Sequence, residues 1–404
     1  MAQAKGSNTK IVVGIEPSYG TLATFSTAST ADKVGIIIPY SSFNVKNAEN
    51  KITNSLIRGS RNPVKPARGN KNPSGTLSTL LTPFMYSLFA YTLGKRKVAD
   101  SLTNYIVVTN SIYSKGSGGT VLVNNNEGYT TTGENLDAIV SPVETAPYIH
   151  TFSIGEIPSF SLEAQYAGFT TASYRRFLGC CVNSMKLIFP VEGYVGLDLD
   201  IMAAEETVET AAMAAGTELE YESRPYDVFE LAAAHVMIGT PGTAETSMTS
   251  LAAVAYIDSI SDITISNNLG GEGYVLGGGG TRKALPAGVV TVSGSIKAMF
   301  TDASAALLLA ANNNTEKSIL LTLIRGTTTL ALPGTTTPKV GQADNEAIQI
   351  IIPEIVLSAT SPTIDGPTGV YFEGAFNAYY EDSTIDGFTS GIQIKVVNSS
   401  APRL

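Results

Sequence analysis

The chain has no Trp and only 2 His and 2 Cys among its 404 residues, which leaves few residues for the commonest kinds of site chemistry. The two Cys, Cys180 and Cys181, are neighbours, and no second pair exists to complete a tetrahedral zinc site. Neighbouring residues on a strand point to opposite faces, so we expect two free, buried thiols. His235 lies in an apolar run, and His150 has no acidic or thiol cluster near it in the sequence. We therefore expect no catalytic residues, no metal and no cofactor.

Charged residues are scarce, at 15% against roughly 25% in an average soluble domain. Interface cores are depleted of Lys, Glu and Asp, so this composition indicates extensive contact between subunits. The net charge of −9 argues against tight binding of nucleic acid, because such binding requires Lys and Arg at the phosphates. It does not argue against a surface past which nucleic acid slides.

Long apolar runs are missing as well. No run approaches the roughly 20 residues of a membrane-spanning helix. Residues 1–10 are polar and show no apolar region of a secretory signal. We expect the protein to be made and kept in a cytoplasm, or in a particle assembled there.

Short alternations of apolar and polar residues between turn residues predict a mainly β fold. They occur at residues 348–352 and 392–396, and Pro353 after the first predicts a bulge or an edge position. In residues 197–201 the alternation places three aliphatic side chains on one face and Asp198 and Asp200 on the other. We expect these two carboxylates to face water.

Two short helices are predicted, at residues 83–93 with Thr82 as N-cap and at residues 303–311 with Asp302 as N-cap. The residues before them match, since Ser74-Gly75-Thr76-Leu77 and Ser293-Gly294-Ser295-Ile296 are separated by a constant offset of 219. This repeat predicts two β-barrel or sandwich domains, residues 1–210 and 211–404, each with one short α-helix. Residues 203–225 would be a linker or an exposed helix between them. Chance similarity of Gly-, Ser- and Ala-rich stretches is the alternative.

Three long segments are predicted to be irregular. The first, residues 44–72, is here called the basic arm, because it contains seven basic residues and one acid, Glu49. The second, residues 101–148, interrupts the repeat and is predicted to be peripheral. The third contains Gly277–Gly280, which Thr281-Arg282-Lys283 follows without an immediate helix, so a phosphate-binding loop is not indicated. A flexible or closely packed segment is the better interpretation.

One part of the chain resembles the phage tail tube proteins. The resemblance is carried by Ile15-Glu16-Pro17-Ser18-Tyr19-Gly20-Thr21, by Arg58-Gly59-Ser60-Arg61, by Pro66-Ala67-Arg68-Gly69 with Ser74-Gly75-Thr76-Leu77, and by the helix that ends at Leu93-Gly94. It implies a β-barrel or sandwich with one helix, arranged in rings that stack into a tube for double-stranded DNA. Members with two fused units form trimers that imitate hexamers. The repeat indicates a member with two fused units.

The resemblance also implies where the protein works and with what. Its partners would be itself, a tail terminator, a tape-measure protein and tail-tip proteins. It would be located in the virion tail, assembled in the bacterial host cytoplasm, and DNA would pass without specific binding. Asp198 and Asp200 would then be candidates for the channel wall, because an acidic channel repels phosphates.

The basic arm would join one ring to the next. Its candidate residues are Arg58, Arg61, Lys65 and Arg68. The acidic partners would come from the stretch that contains Glu205, Glu206, Glu209, Glu218, Glu220 and Glu222. A solvated loop is the alternative for the arm.

Two other classes of protein would share this composition. One is another component of a virion shell, such as a capsid, decoration or spike protein. The other is a β-rich sugar-binding or hydrolytic module, although such modules usually offer aromatic platforms and this chain has no Trp.

Overall fold

The computed structural model describes most of the chain, namely residues 6–23, 25, 35–54, 62, 64–99, 123–124, 128–129, 148–167, 173–190, 192–215, 218–219, 225–227, 236–239, 249–250, 257–324, 346–359, 361–362, 364, 369–380 and 390–398. Within these residues the fold is mainly β, as predicted. The helices are α1, Tyr86–Leu93, and α2, Asp302–Asn312, and a short 3₁₀ turn covers Gly6–Asn8.

The strands are named in chain order. They are β1 Lys10–Ile15, β2 Gly35–Ile38, β3 Ser42–Phe43, β4 Lys46–Ile52, β5 Ala67–Leu80, β6 Gly94–Ala99, β7 Val123–Asn124, β8 Gly128–Tyr129, β9 Tyr148–Ile154, β10 Phe160–Tyr166, β11 Ser173–Ile188, β12 Gly196–Met202, β13 Glu205–Glu209, β14 Glu218–Leu219, β15 Val236–Gly239, β16 Thr249–Ser250, β17 Ile257–Ser266, β18 Thr291–Met299, β19 Lys317–Ile324, β20 Ala347–Ala359, β21 Tyr371–Ala378 and β22 Gln393–Asn398.

An antiparallel sheet runs without interruption through both halves of the chain. Its order is β4–β5–β12–β11–β17–β18–β21–β20. The halves meet where β11 pairs with β17, in a register that runs from Ser184 opposite Ser266 to Ile188 opposite Asp262. This pairing is here called the central joint.

The two longest inner strands change neighbours halfway along. The first part of β11 lies between β10 and β13, and its second part lies between β12 and β17. Likewise, the first part of β20 lies between β19 and β22, and its end pairs with β21. Outside them, β10 pairs with β1 and β1 with β2, while β19 pairs with β15 and β15 with β16. The order of pairings is therefore alike in the two halves.

The division at residue 210 stays a prediction, as does the duplication itself. Pairings cross that point in both directions, because β9 pairs with β22 and β14 pairs in parallel with β2. One apolar cluster also contains buried residues from both halves, among them Leu199, Met185, Ile263, Ile296 and Phe376. The halves share one continuous core.

Each helix begins at a different residue from the one predicted. Residues 83–85 form a turn in which the Met85 N–H donates to the Thr82 carbonyl at 3.2 Å, so α1 starts at Tyr86 and Met85 is its N-cap. The N-cap of α2 is Thr301, one residue before the predicted Asp302. Thr301 and Ser304 form a reciprocal capping box, which leaves Asp302 at the first helical position, where its charge suits the helix dipole.

Helix α1 lies inside the core, and all eight of its residues are buried. It packs against β11, β6 and β9, while α2 packs mainly against β20. The helix ends at Gly94, whose φ of 86° is one that residues with a side chain rarely adopt. A Cβ there would lie 2.2 Å from the Glu156 carbonyl oxygen, so this position requires glycine.

Two of the segments predicted to be irregular or linking contain strands. In its described residues the basic arm contains a two-stranded ribbon in which β4 pairs with β5, and residues 203–225 include β13, which pairs with β11. These expectations were wrong because both segments have polar side chains on either face, which hides the alternation of a half-buried strand. Pro353 does lie at a register shift between β19 and β20, which confirms the predicted bulge.

The motif at residues 15–21 closes one corner of the fold around a buried carboxylate. Glu16 accepts hydrogen bonds from the Gly20 N–H at 2.8 Å, the Gly179 N–H at 2.8 Å and the Ser161 hydroxyl at 3.0 Å. It therefore ties the end of β1 to β10 and β11. A buried carboxylate with this many donors is satisfied, which explains why an acid can occupy an interior position.

Candidate functional site

The strand that carries Asp198 and Asp200 alternates as predicted. Leu197, Leu199 and Ile201 are fully buried, while both carboxylates are partly exposed on the opposite side of the sheet. The Asp200 carboxylate accepts a hydrogen bond from the Asn183 amide at 2.8 Å. The orientation of Asp198 and Asp200 away from the core is thus confirmed, whereas their position in a channel stays a prediction.

The same side of the sheet is polar across six neighbouring strands, and it is here called the polar face. Its polar and small members are Thr76, Ser78, Ser184, Lys186, Asp198, Asp200, Asp262, Thr264, Ser266, Ser293, Ser295, Lys297, Glu373, Ala375 and Asn377. The apolar or aromatic side chains on the same side are Leu80, Ile188, Met202, Met299 and Tyr371. Small hydroxyl side chains predominate. The polar face crosses the central joint, so both halves of the chain contribute to one surface.

The charges on the polar face are partly balanced by one another. Lys186 forms an ion pair with Asp262 at 2.7 Å, across the central joint. Lys186 also lies opposite Asp198 in the strand register, so one ammonium group is flanked by two carboxylates. Lys297 pairs with Glu373 at 2.9 Å. With Asp200 bonded to a neutral amide, carboxylates outnumber ammonium groups on this surface.

The candidate residues of the basic arm are only partly visible. Arg58 and Arg61 lie outside the described residues. Lys65 is exposed. Arg68, whose side chain is 82% exposed, forms an ion pair with Glu49 at 2.8 Å within the same ribbon. One of the four proposed inter-ring bases is therefore already paired inside the chain.

A segment from the second half holds the base of the basic arm, and residues 267–290 are here called the glycine loop. The Lys71 N–H donates to the Gly280 carbonyl at 2.8 Å, and the Tyr274 hydroxyl donates to the Lys71 carbonyl at 2.6 Å. Gly280 has a φ of 77°, which suits glycine at this close approach. Of the two interpretations for the Gly-rich run, close packing is the one observed here.

Arg282 donates most of the hydrogen bonds at this contact, and its side chain is buried, with the residue only 3% exposed. Its guanidinium donates to the Ala203 carbonyl at 2.9 Å, the Gly271 carbonyl at 3.0 Å, the Pro73 carbonyl at 3.5 Å and the Asn72 amide oxygen. The same group lies 5.4 Å from the centre of the Tyr274 ring. One side chain thus joins the glycine loop, the end of β12 and the base of the arm.

A comparison with known protein families matches residues 6–379 to the family described as phage tail tube protein. The chain belongs to this family. No curated protein matched the chain. Membership supports a structural role in the tail tube of a virion, through self-assembly with other tail proteins.

The acidic stretch of this tail tube protein meets the arm inside its own chain. Glu206 forms an ion pair with Arg175, and its other carboxylate oxygen accepts the Asn47 N–H of β4 at 3.0 Å. Its side chain is 5% exposed, so it offers no free charge to a neighbouring ring. Glu205 and Glu209 are partly exposed on β13, and Glu218 accepts a hydrogen bond from Gln165 at 2.9 Å. Glu220 and Glu222 lie outside the described residues.

The residues considered for catalysis have structural partners instead. His150 is fully buried, bonds Asn398 at 3.2 Å and stacks on Tyr86, while His235 lies outside the described residues. Cys180 and Cys181 are free and buried, as predicted. Burial, with the nearby Glu16 carboxylate, raises the pKa of the Cys181 thiol to about 12 and that of Cys180 well above its usual range. Such thiols are poor nucleophiles.

The described residues show neither a metal-binding cluster nor a membrane-spanning helix. They contain no group of His, Cys, Asp and Glu that could hold a metal ion. They also contain no helix of the length and apolarity needed to cross a membrane.

Sequence reasoning missed the residues that hold the surfaces together. Lys186 and Lys297 each lie between two buried residues of a strand, and that alternation could have placed them on the polar face. For Arg282 and Tyr274 the sequence carries no comparable signal, because their partners are distant in the chain. Arg282, for example, bonds Pro73 at a separation of 209 residues.

Proposed function

We propose that three copies of this chain close into a ring with six similar β units, and that rings stack into a tube that conducts double-stranded DNA to the host. The polar face lines the channel, and Asp198 and Asp200 are part of that wall. The tail terminator, tape-measure and tail-tip proteins are its partners in the tail. DNA passes without specific binding.

The observation that carries this proposal is the continuity of the polar face through both halves of the chain. Hydroxyl side chains hydrate well, and an excess of carboxylates over ammonium groups repels phosphate. A wall of this kind offers DNA no basic patch, and the ring of Tyr371, which lies on the same side, is close to the Lys297 ammonium group. In the described part of the chain, the opposite side of the sheet is covered by the core and the helices, which leaves the polar face available for a channel.

The basic arm is proposed to contact the next ring. Its described strands form an exposed ribbon, and the base of that ribbon is held by Arg282 and Glu206. Because Arg68 and Glu206 are engaged within the chain, the remaining exposed bases carry the contact. Lys46, Lys51 and Lys65 are the described ones.

Electron microscopy of the purified protein tests the assembly, together with native mass spectrometry. The expected result is three-subunit rings and tubes with a central channel. Closed shells, or a ring of six full-length chains, would contradict the proposal.

Charge reversal tests the channel wall. The double substitution Asp198→Lys with Asp200→Lys should leave tubes intact but retain DNA in them, because basic groups replace carboxylates along the wall. Glu316→Lys is the control, since Glu316 follows α2 on the helix side of the sheet and is exposed. DNA release from reconstituted particles is the measurement. Equal release from the two variants would remove Asp198 and Asp200 from the channel.

A further inference from the structure

The main sheet ends in two edges that no described strand covers. At one end, β20 pairs with β21, but beyond Ile355 its other side has no partner among the described strands. The Tyr379 N–H donates to the Glu354 carbonyl at 3.2 Å, so the alternating backbone groups of Leu357 and Ala359 point away from β21. Leu357 is buried, while the next residue, Ser358, is exposed.

The opposite end of the sheet is β4. It pairs with β5, and no other strand pairing of β4 occurs in the described part of the chain. The Asn44 N–H donates to the Thr76 carbonyl at 3.0 Å, so the backbone groups of Val45 and Asn47 point away from β5. Each chain therefore has one open edge of each kind.

The central joint shows how such edges fit together. The matched glycines Gly75 and Gly294 give the starting points. Gly75 lies opposite Ile201, which in turn lies opposite Val182 on β11. Gly294 lies opposite Phe376, which in turn lies opposite Leu357 on β20. The end of β20 thus occupies the position of the second part of β11. In the first half that part of β11 is covered by β17. In the second half the corresponding side of β20 is the open edge.

The counterpart of β17 is β4, because both precede and pair with the strand that leads into a helix. Ser266 lies opposite Thr291, and the residue that precedes Thr291 by 219 positions is Asn72, which lies opposite Ala48. Ala48 therefore corresponds to Ser266. The registers that start from the matched residues Thr76 and Ser295 end at Ser184 on β11 and Ser358 on β20, so Ser358 corresponds to Ser184.

We propose that β20 of one chain pairs with β4 of a second copy of this chain, in the register of the central joint. Ser358 then lies opposite Ala48, and Ala359 lies opposite Asn47. The inference rests on the proposed ring and adds to it the two edges and their register. It extends the polar face across the boundary between chains, because Ser358 and Ala48 are both on that side of the sheet.

A second copy is the partner because the contact is head-to-tail. Each chain supplies one β20 edge and one β4 edge, so a closed ring covers these two edges in every chain, and a heterologous contact of this kind generates rings. Val45 and Leu357 lie on the core side of the sheet, as their counterparts Ile263 and Val182 do, and of these counterparts only Ile263 is within the central joint. One hydrogen bond must be exchanged when the two chains pair, because within the chain the Asn47 N–H donates to the Glu206 carboxylate. The Ala359 carbonyl would take its place.

Disulfide trapping tests the register. Directly opposed residues in a non-hydrogen-bonded antiparallel pair have Cα atoms about 4.5 Å apart, within the range of a disulfide. Chains with Ala48→Cys and Ser358→Cys, oxidised after assembly, should lose most of their monomer band and give linked dimers and trimers that reductant reverses. A mixture of the two single variants should give linked dimers only. The native thiols are buried and serve as the background in the parent chain.

Two matched pairs control the geometry. Ser184→Cys with Ser266→Cys, at the central joint, should form a disulfide within one chain and leave the monomer band in place. Asn47→Cys with Ser358→Cys is shifted by one residue, which puts the side chains on opposite faces, so cross-linking should fall by about tenfold or more.

The outcomes separate the two proposals. Rings seen by microscopy without a link between positions 48 and 358 would overturn the edge assignment and leave the ring intact. Equal linking of the shifted pair would overturn the register. Neither rings nor tubes from the parent chain would instead contradict the proposed function.

Discussion

Replacement of Arg282 by Met should destabilise the unassembled protein by about 3 kcal/mol, most of it from one orphaned carbonyl. Met keeps the apolar stem of the side chain and removes the guanidinium. That group is 3% exposed and serves four acceptors on three segments. The substitution therefore tests whether the glycine loop fixes the base of the basic arm.

The magnitude follows from what each acceptor retains. The Pro73 carbonyl keeps the Ala203 N–H at 3.0 Å, so it is not orphaned. Gly271 and Asn72 are at the partly buried side, where water can replace the lost donor at about 0.5–1 kcal/mol each. The Ala203 carbonyl is buried, and the loss of a charged donor there costs about 2 kcal/mol. Arg68→Met is the control, because an exposed ion pair contributes about 0.2–1 kcal/mol.

Two measurements follow. Urea titration of dilute, unassembled protein gives the free energy of unfolding, and a difference of about 2 kcal/mol between the variants corresponds to more than tenfold in the unfolding constant. Trypsin cleavage after Lys71 reports the local release, because the Lys71 backbone is bonded to Gly280 and Tyr274. Equal destabilisation by the two substitutions, or unchanged cleavage after Lys71 in Arg282→Met, would refute the reasoning.

Three further predictions concern the arm, the thiols and the inserted segment. Replacing Arg58, Arg61, Lys65 and Arg68 together by Ser should shorten tubes at low salt and matter less at 1 M salt, where the Debye length is about 3 Å. Equal tube length at low salt would exclude these four bases from the joint between rings. Because burial raises the pKa of both thiols above the roughly 8.5 of an unfolded chain, their contribution to stability is complete below about pH 8.5 and is lost as the pH rises towards 12. Cys180→Ala with Cys181→Ala should flatten the pH dependence of the urea midpoint between about pH 9 and 11, and an unchanged slope would show that other groups cause it. Residues 114–126 lie mostly outside the described residues, and their replacement by a short linker should leave ring formation intact by microscopy; loss of all assembly would show that the segment is structural.

The sequence was informative wherever one side of a strand is buried. The alternation at residues 197–201 predicted which side chains of β12 enter the core, and the run at residues 348–352 with Pro353 predicted both β20 and its bulge. It failed for the basic arm and for β13, because strands with polar residues on both faces lack that periodicity. Both helices were found, but their starts were displaced. Residues 83–85 form a turn before α1, and Thr301 rather than Asp302 caps α2 because both residue types can act as caps.

What the sequence by itself determined is local and repetitive: a mainly β chain with two short helices, free buried thiols, few charges and a repeat at a fixed offset. These properties depend on residues close together in the chain. Only the tertiary structure decided which charges remain available and where the sheet stays open. Glu206 is engaged by Arg175 and Asn47, Arg282 by three distant acceptors, and β11 by β17, whereas the corresponding side of β20 has no described partner. The physical reason is that hydrogen bonds and ion pairs between distant segments depend on strand register, which a pattern of residue types does not fix for polar positions.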